Sequence, residues 1–273
     1  MRLICIAGII AIISFPQFSF GQHPGIEKHR KFLDHLSKEK LYKEKLFYIE
    51  NLKRVNLTKG FKDSLFIEKA KVFHVLDKSD SVIATIDKID HGSDLFKENI
   101  PLYNLHLIKS NQSNKVKKEI YFPKHTEIIN SQSLAVKIID KTLTEKDTSL
   151  RTSDEMKDFV KRYNSIEGKS PLIAGLFSGV IPGSGKWYIG RKWQGITAFI
   201  ATGLLSLQAY ESYRKDGVYS VRFGFSASVL SIFYIGNIWG TVIDAKKIKK
   251  EKFLQLNHEI IKHIDLRTKP FCQ

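Results

Sequence analysis

PLIAGLFSGVIPGSGKWY, residues 171–188, decides how the rest of the chain is read. It runs apolar, then glycine-rich, then aromatic and basic. Two apolar runs follow it, Gly195–Tyr210 and Phe223–Ile243. Windows this cleanly apolar point to a bilayer, because lipid leaves no solvent for a free backbone group. Pro171–Gly183 would cover about 20 Å as a helix, short of the roughly 30 Å hydrocarbon core. It therefore dips, lies flat, or crosses by continuing through Lys186. Gly195–Tyr210 is marginal in length and Phe223–Ile243 is sufficient, so the section holds two or three spans.

The glycine turn inside this stretch is not a phosphate loop. GxxxxGK[ST] requires glycine where Val180 stands and Ser or Thr where Trp187 stands. Its chemistry suits a membrane surface instead. Pro182 stops a helix, and Gly183 and Gly185 permit a tight turn. Trp187, Tyr188 and Trp193 fit the headgroup layer, where Lys186, Arg191 and Lys192 would meet lipid phosphates. Binding of a substrate by this turn is the alternative. The pattern Pro182-Gly183-x-Gly185-x-x-Tyr188-x-Gly190-x-x-x-x-Gly195 is similar to the loop motif of the two-transmembrane-helix domain family. That resemblance covers residues 171–245 and implies a pair of membrane helices after the turn. It departs from the family at Lys186, where glutamine is usual.

Small residues at four-residue spacing let membrane helices approach closely. Gly175, Gly179 and Gly183 form two such steps, and Gly236 and Gly240 form another. Internal packing is the expectation for these, with dimerisation as the alternative. Asn237 lies in the last run, where a buried amide seeks a hydrogen bond across helices. Gln208 and backbone carbonyls are its candidate partners. After the run, Lys246, Lys247, Lys249 and Lys250 form the chain's one dense basic cluster, read either as a surface-lipid contact or as a helix end favoured by the dipole. Phe253, Leu256, Ile260 and Ile264 then make an apolar stripe.

Upstream, apolar residues recur at three- and four-residue steps: Phe32, Leu33, Leu36 and Leu41, then Leu46, Ile49 and Leu52. A second block gives Leu65, Phe66, Ala70, Phe73, Val82, Ile86 and Ile89. The blocks superpose at a shift of 37, which pairs Leu33 with Ala70, Leu36 with Phe73, Ile49 with Ile86, and Leu52 with Ile89. A helix pair repeating at this interval is a solenoid signature. Residues 26–90 resemble degenerate tetratricopeptide repeats, with Tyr42 at the aromatic position of the second helix. Lys45 stands where that family has a small residue, and its Trp, Gly and Pro are missing. An unrelated helical bundle is the alternative. Residues 99–148 hold one further pair, with Leu102, Leu105 and Ile108 on one face and Leu134, Ile138, Ile139 and Leu143 on another. A polar connector over 144–155 leads to an amphipathic segment, Met156–Ile166.

Residues 1–21 read as a secretory leader, with Arg2, an apolar Leu3–Ile13, Pro16, and small residues at Ser19 and Gly21. An uncleaved anchor is the alternative. Cleavage would leave Cys272 alone, without an intrachain disulfide partner. The formal charge is +16. Outside Lys246–Lys252 the lysines are dispersed among glutamates, as on a solvated face, so nucleic acid is not expected as a partner. The histidines show no metal-ligand spacing, and no nucleophile motif occurs. No metal, cofactor or small-molecule substrate is expected, and no enzyme.

The expectation is an all-α chain in four parts: leader 1–21, helical-repeat domain 22–165, membrane section 166–245, and basic amphipathic tail 246–273. Its expected role is a membrane-anchored, protein-binding scaffold or assembly factor of the cell envelope. A small membrane transporter or assembly subunit with a regulatory soluble part is the alternative. A leader places residues 22–165 outside, whereas the lysine cluster favours the cytoplasmic side. Both hold only if the number of crossings is odd, which requires Pro171–Tyr188 to cross.

Overall fold

The computed structural model describes residues 26–52, 58–144, 147 and 152–269. The expected leader, Cys5 and Cys272 lie outside them. Every regular element among the described residues is helical. The chain divides into two compact units, Met1–His106 and Leu107–Gln273.

The first unit contains α1 (Ile26–Lys38), α2 (Tyr42–Leu52), α3 (Lys59–Val75), α4 (Ser79–Ile86), α5 (Asp94–Glu98) and the start of α6 (Ile100–Lys109). The apolar steps of the sequence become its core: Leu33, Ile49, Leu52, Phe61 and Leu65 pack as one cluster against Tyr48. α1 and α3 stop in the same way. Lys40 and Asp77 take left-handed φ values of 56° and 52°. Leu41 N–H then reaches back to Leu36 O, and Lys78 N–H to Phe73 O, at 2.9 Å each. This closure satisfies carbonyls that the helix end would strand. The two turns lie 37 residues apart, the interval of the apolar pattern.

Lys45 is 2 % exposed. Its ammonium donates to Ser37 Oγ at 2.5 Å and to Glu68 Oε2 at 2.6 Å, so the large residue at this position is held by a carboxylate from α3. Burial alone would push the Glu68 carboxyl up, but Lys71 and Lys45 together hold it below its ordinary value.

The second unit opens with the end of α6. That helix is buried along nearly all its length, Ile100 to Ile108, rather than along the single face the sequence suggested. Two short 3-10 turns lead to α7 (Thr126–Ile139) and then α8 (Asp154–Glu167). Ser153 caps α8 by accepting from Met156 N–H at 3.3 Å. Met156, Phe159, Val160 and Tyr163 then bury one stripe. The connector before it is anchored by Asp147, which pairs with Lys137 and accepts from Thr144. Those bonds hold the Asp147 carboxyl down at about 2.

The remainder is α9 (Pro171–Val180), α10 (Ser184–Tyr188), α11 (Lys192–Asp216) and α12 (Val221–Thr268). α12 runs across an expected boundary. The sequence separated a span ending near residue 245 from a tail beginning at 246. The structure runs one 48-residue helix through both, about 72 Å at 1.5 Å per residue. The tail's stripe is not free: Leu256, Ile260 and Ile264 are fully buried, and α12 packs on α7 and α8. Lys109–Asp265 (2.8 Å), Arg162–Glu259 (2.6 and 3.2 Å) and Arg267–Glu127 tie it down. Lysines favour helix as well as leucine does, so nothing in KKIKKEK interrupts the backbone.

Candidate functional site

From Leu172 to Ile243 the usual distribution of side chains is inverted. Val180 is 80 % exposed, Trp193 79 %, Ile232 73 % and Trp239 70 %, whereas Ser178 and Thr241 are fully buried and Asn237 is 8 % exposed. Large apolar groups point outward around α9, α11 and α12. Small and polar groups fill the interior: Ala174, Gly175, Ala198, Thr202, Ala209, Ser212 and Ser226. Among the described residues, α12 is the helix long and apolar enough to cross a membrane, and only 17 % of its most apolar window is buried. A core helix of that composition in a water-soluble protein would be mostly buried. α11 has the length, 25 residues, but Gln194, Gln208 and Glu211 dilute it.

The polar interior is locally bonded. Ser178 Oγ donates to Thr241 Oγ1 at 3.1 Å, and Thr241 Oγ1 donates to Asn237 O at 2.7 Å. Tyr234 OH donates to Gly179 O at 2.6 Å. Asn237 Nδ2 has no partner among the described residues. Gln208 does not supply one. The Ser212–Ser226 contact (3.3 Å) sets the register of α11 against α12, which places Gln208 about two turns from the level of Asn237, and Gln208 is exposed.

The glycine motif closes on itself. Gly183 and Gly190 have φ of +88° and +93°, which side chains rarely adopt. A Cβ on Gly185 would lie 1.8 Å from Ala174 O, and one on Gly195 would lie 2.2 Å from Trp187 Cδ1. Pro182 precedes the turn and is half-buried. Tyr188 OH accepts from Ser170 N–H at 3.3 Å. Residues 170 and 188 are therefore neighbours, and the segment returns to its starting level. α9 ends at Val180 and α10 brings the chain back.

The remaining sequence candidates divide. Gly175 packs hard on Val242, where a Cβ would meet Cγ2 at 2.6 Å, and Gly179 faces Ile238 at 3.7 Å. Gly236 and Gly240 do not pack internally, since a Cβ on either meets nothing within 4 Å. Their step lies on the outer face of α12. Trp187 Nε1 donates to Lys192 O at 3.0 Å, and Arg191 pairs with Asp244 at 3.3 Å. Trp187 and Trp193 are exposed, as are Lys246, Lys247 and Lys250. Lys249 is occupied by Glu167, at 3.1 Å to its carbonyl and 3.3 Å to its carboxylate. These groups girdle the level where α12 enters the α7–α8 bundle.

In the first unit, sequence reasoning missed a buried polar chain. His74 Nδ1 lies 3.0 Å from His106 Nε2, and His106 Nδ1 lies 2.9 Å from Ser79 Oγ. One neutral arrangement satisfies both bonds, with Ser79 donating to His106 and His106 donating to His74. No spacing signal links residues that far apart along the chain. No protein-family model, curated protein or solved structure matches this chain.

Proposed function

We propose that this chain is a membrane-anchored, non-enzymatic binding protein, with α11 and α12 as a two-helix membrane hairpin and α9–α10 as a re-entrant dip. The inverted surface of residues 172–243 carries the reading. In water, that much exposed apolar area exceeds what monomeric proteins tolerate. In lipid it is the expected arrangement, with small and polar groups reserved for helix contacts.

The first unit supports a binding role. Seven of the eight positions that the 37-residue shift superposes are buried, namely Leu33, Leu36, Ile49, Leu52, Ala70, Ile86 and Ile89. The turns at Lys40 and Asp77 recur at the same interval. Both features favour tetratricopeptide-like pairs, and such repeats present surfaces to other proteins. A stoichiometric partner recovered with the full chain from a detergent extract supports this role. Recovery of none counts against it.

Two crossings put residues 58–169 and the end of α12 on one side. Reporters after residues 60, 150 and 273 should agree, and one after residue 218 should oppose them. The leader makes the shared side extracytoplasmic, in the cell envelope. Charge argues for the reverse, since the bundle side of the girdle carries more Lys and Arg than the 211–222 turn. We give the leader precedence because long domains translocate largely regardless of charge.

The second reading, a small transporter or assembly subunit, draws on the unpartnered Asn237 amide. Asn237→Leu should then abolish an activity without lowering expression. Under the anchor reading it leaves partner recovery intact.

A further inference from the structure

We infer a discrete binding site for an anionic phospholipid headgroup where α8, α10 and α12 meet, an inference that rests on the membrane reading above. A cleft of about 40 Å³ opens there, lined by Ile166, Ile189 and Ile248 together with Lys169, Lys249 and Lys252. Its size admits a few waters or one compact anionic group.

Three features make this more than a charged surface. First, Glu167 fixes one lysine through two contacts, at 3.1 and 3.3 Å to Lys249 Nζ. That leaves Lys169 and Lys252, which take part in no ion pair among the described residues, to meet a ligand. The cleft therefore keeps positive charge after its own carboxylate is counted. Second, the cleft's lining is mostly apolar, so a fully hydrated anion such as free phosphate gains nothing from it, whereas a glycerol backbone or the start of an acyl chain does. Third, the cleft lies at the foot of the exposed apolar collar. Ile189 lies four residues before Trp193, across the turn at Gly190, and Ala245, which also lines the cleft, follows Ile243, which is 52 % exposed. A lipid lying along the collar would bring its phosphate to this depth. The shared chemistry is an anionic phosphate, and the apolar lining selects the lipid as its source.

The test uses the purified full chain in a neutral detergent, with native mass spectrometry after addition of phosphatidylglycerol, phosphatidylcholine or inorganic phosphate. The wild type should retain phosphatidylglycerol over phosphatidylcholine. The double variant Lys169→Gln/Lys252→Gln should weaken that retention at least about tenfold, since each lysine near a headgroup contributes on the order of a factor of five. The equal-charge control Lys161→Gln/Lys262→Gln, on exposed residues outside the cleft and outside the basic cluster, should leave it near wild type. Equal loss in both double variants overturns the site in favour of diffuse attraction. Equal retention of the two lipids, or displacement of phosphatidylglycerol by millimolar phosphate, also overturns it. Whether the chain sediments with membranes after alkaline extraction is read separately, so failure of the anchor and failure of the cleft give different results.

Discussion

Replacing Ile232 by aspartate separates lipid from water as the solvent of the collar. Ile232 is 73 % exposed and lies near the middle of the apolar run Phe223–Ile243 of α12. It is about 14 Å from one end and about 16 Å from the other at 1.5 Å per residue, close to half the thickness of a hydrocarbon core. If water bathes this face, Ile232→Asp is an ordinary surface change, within about 0.5 kcal/mol of neutral. If lipid does, an isoleucine favouring insertion by about 0.3–0.6 kcal/mol gives way to an aspartate opposing it by about 2.5–3.5. The difference is about 3–4 kcal/mol, or two to three powers of ten in the insertion equilibrium. Aspartate is too short to reach either interface, so snorkelling cannot hide the cost. The assay is the fraction of full-length chain that stays in membranes after alkaline extraction. Leu254→Asp is the control, because Leu254 is 57 % exposed on the same helix beyond the collar and should change little. If Ile232→Asp is retained as well as Leu254→Asp, and the wild type is a monomer in detergent-free supernatant, the membrane reading fails.

Three further outcomes follow from single contacts. Gly185→Ala should destabilise by about 1–3 kcal/mol, because its methyl meets backbone at Ala174 O; Gly240→Ala should be neutral or slightly stabilising, and thermal melts in detergent compare them. Lys45→Ala should cost about 3 kcal/mol by stripping Glu68 of its buried partner. Lys45→Met restores the bulk but not the charge and should recover little, even with Lys71 still 3.2 Å from Glu68; a wild-type melting point for Lys45→Met would contradict the ion-pair account. His263 faces Phe159 and Ser153 on α8. Burial and Arg267 push its pKa below the ordinary value, against the opposing pull of Glu155 and Glu127. The unfolded chain then takes up a proton first as pH falls through about 6.5. Stability is full above that pH and declines below it, and His263→Gln should flatten the slope of melting temperature between pH 7 and 5.

The helical class, the apolar collar and the core of the first unit were legible in the sequence, because each depends on local periodicity. Leu33, Ile49 and Leu65 bury themselves wherever the neighbouring helix lies. The glycine motif was legible for a similar reason, since a positive φ at Gly183 or Gly190 is a property of the turn itself. Which pair of glycines packs was not. Gly175–Gly179 and Gly236–Gly240 have the same spacing, and only the position of Val242 and Ile238 opposite the first pair distinguishes them. The fate of the lysine cluster was also undecided, because the residues that hold Lys249 and bury Leu256 lie some 80 to 130 positions earlier in the chain. The return of residues 171–188 to their starting level turned on one close approach, Gly185 against Ala174. Spacing along a chain fixes which face of a helix is apolar. Only the packed chain fixes what that face meets, because contact energies depend on distance in space and not on separation in sequence.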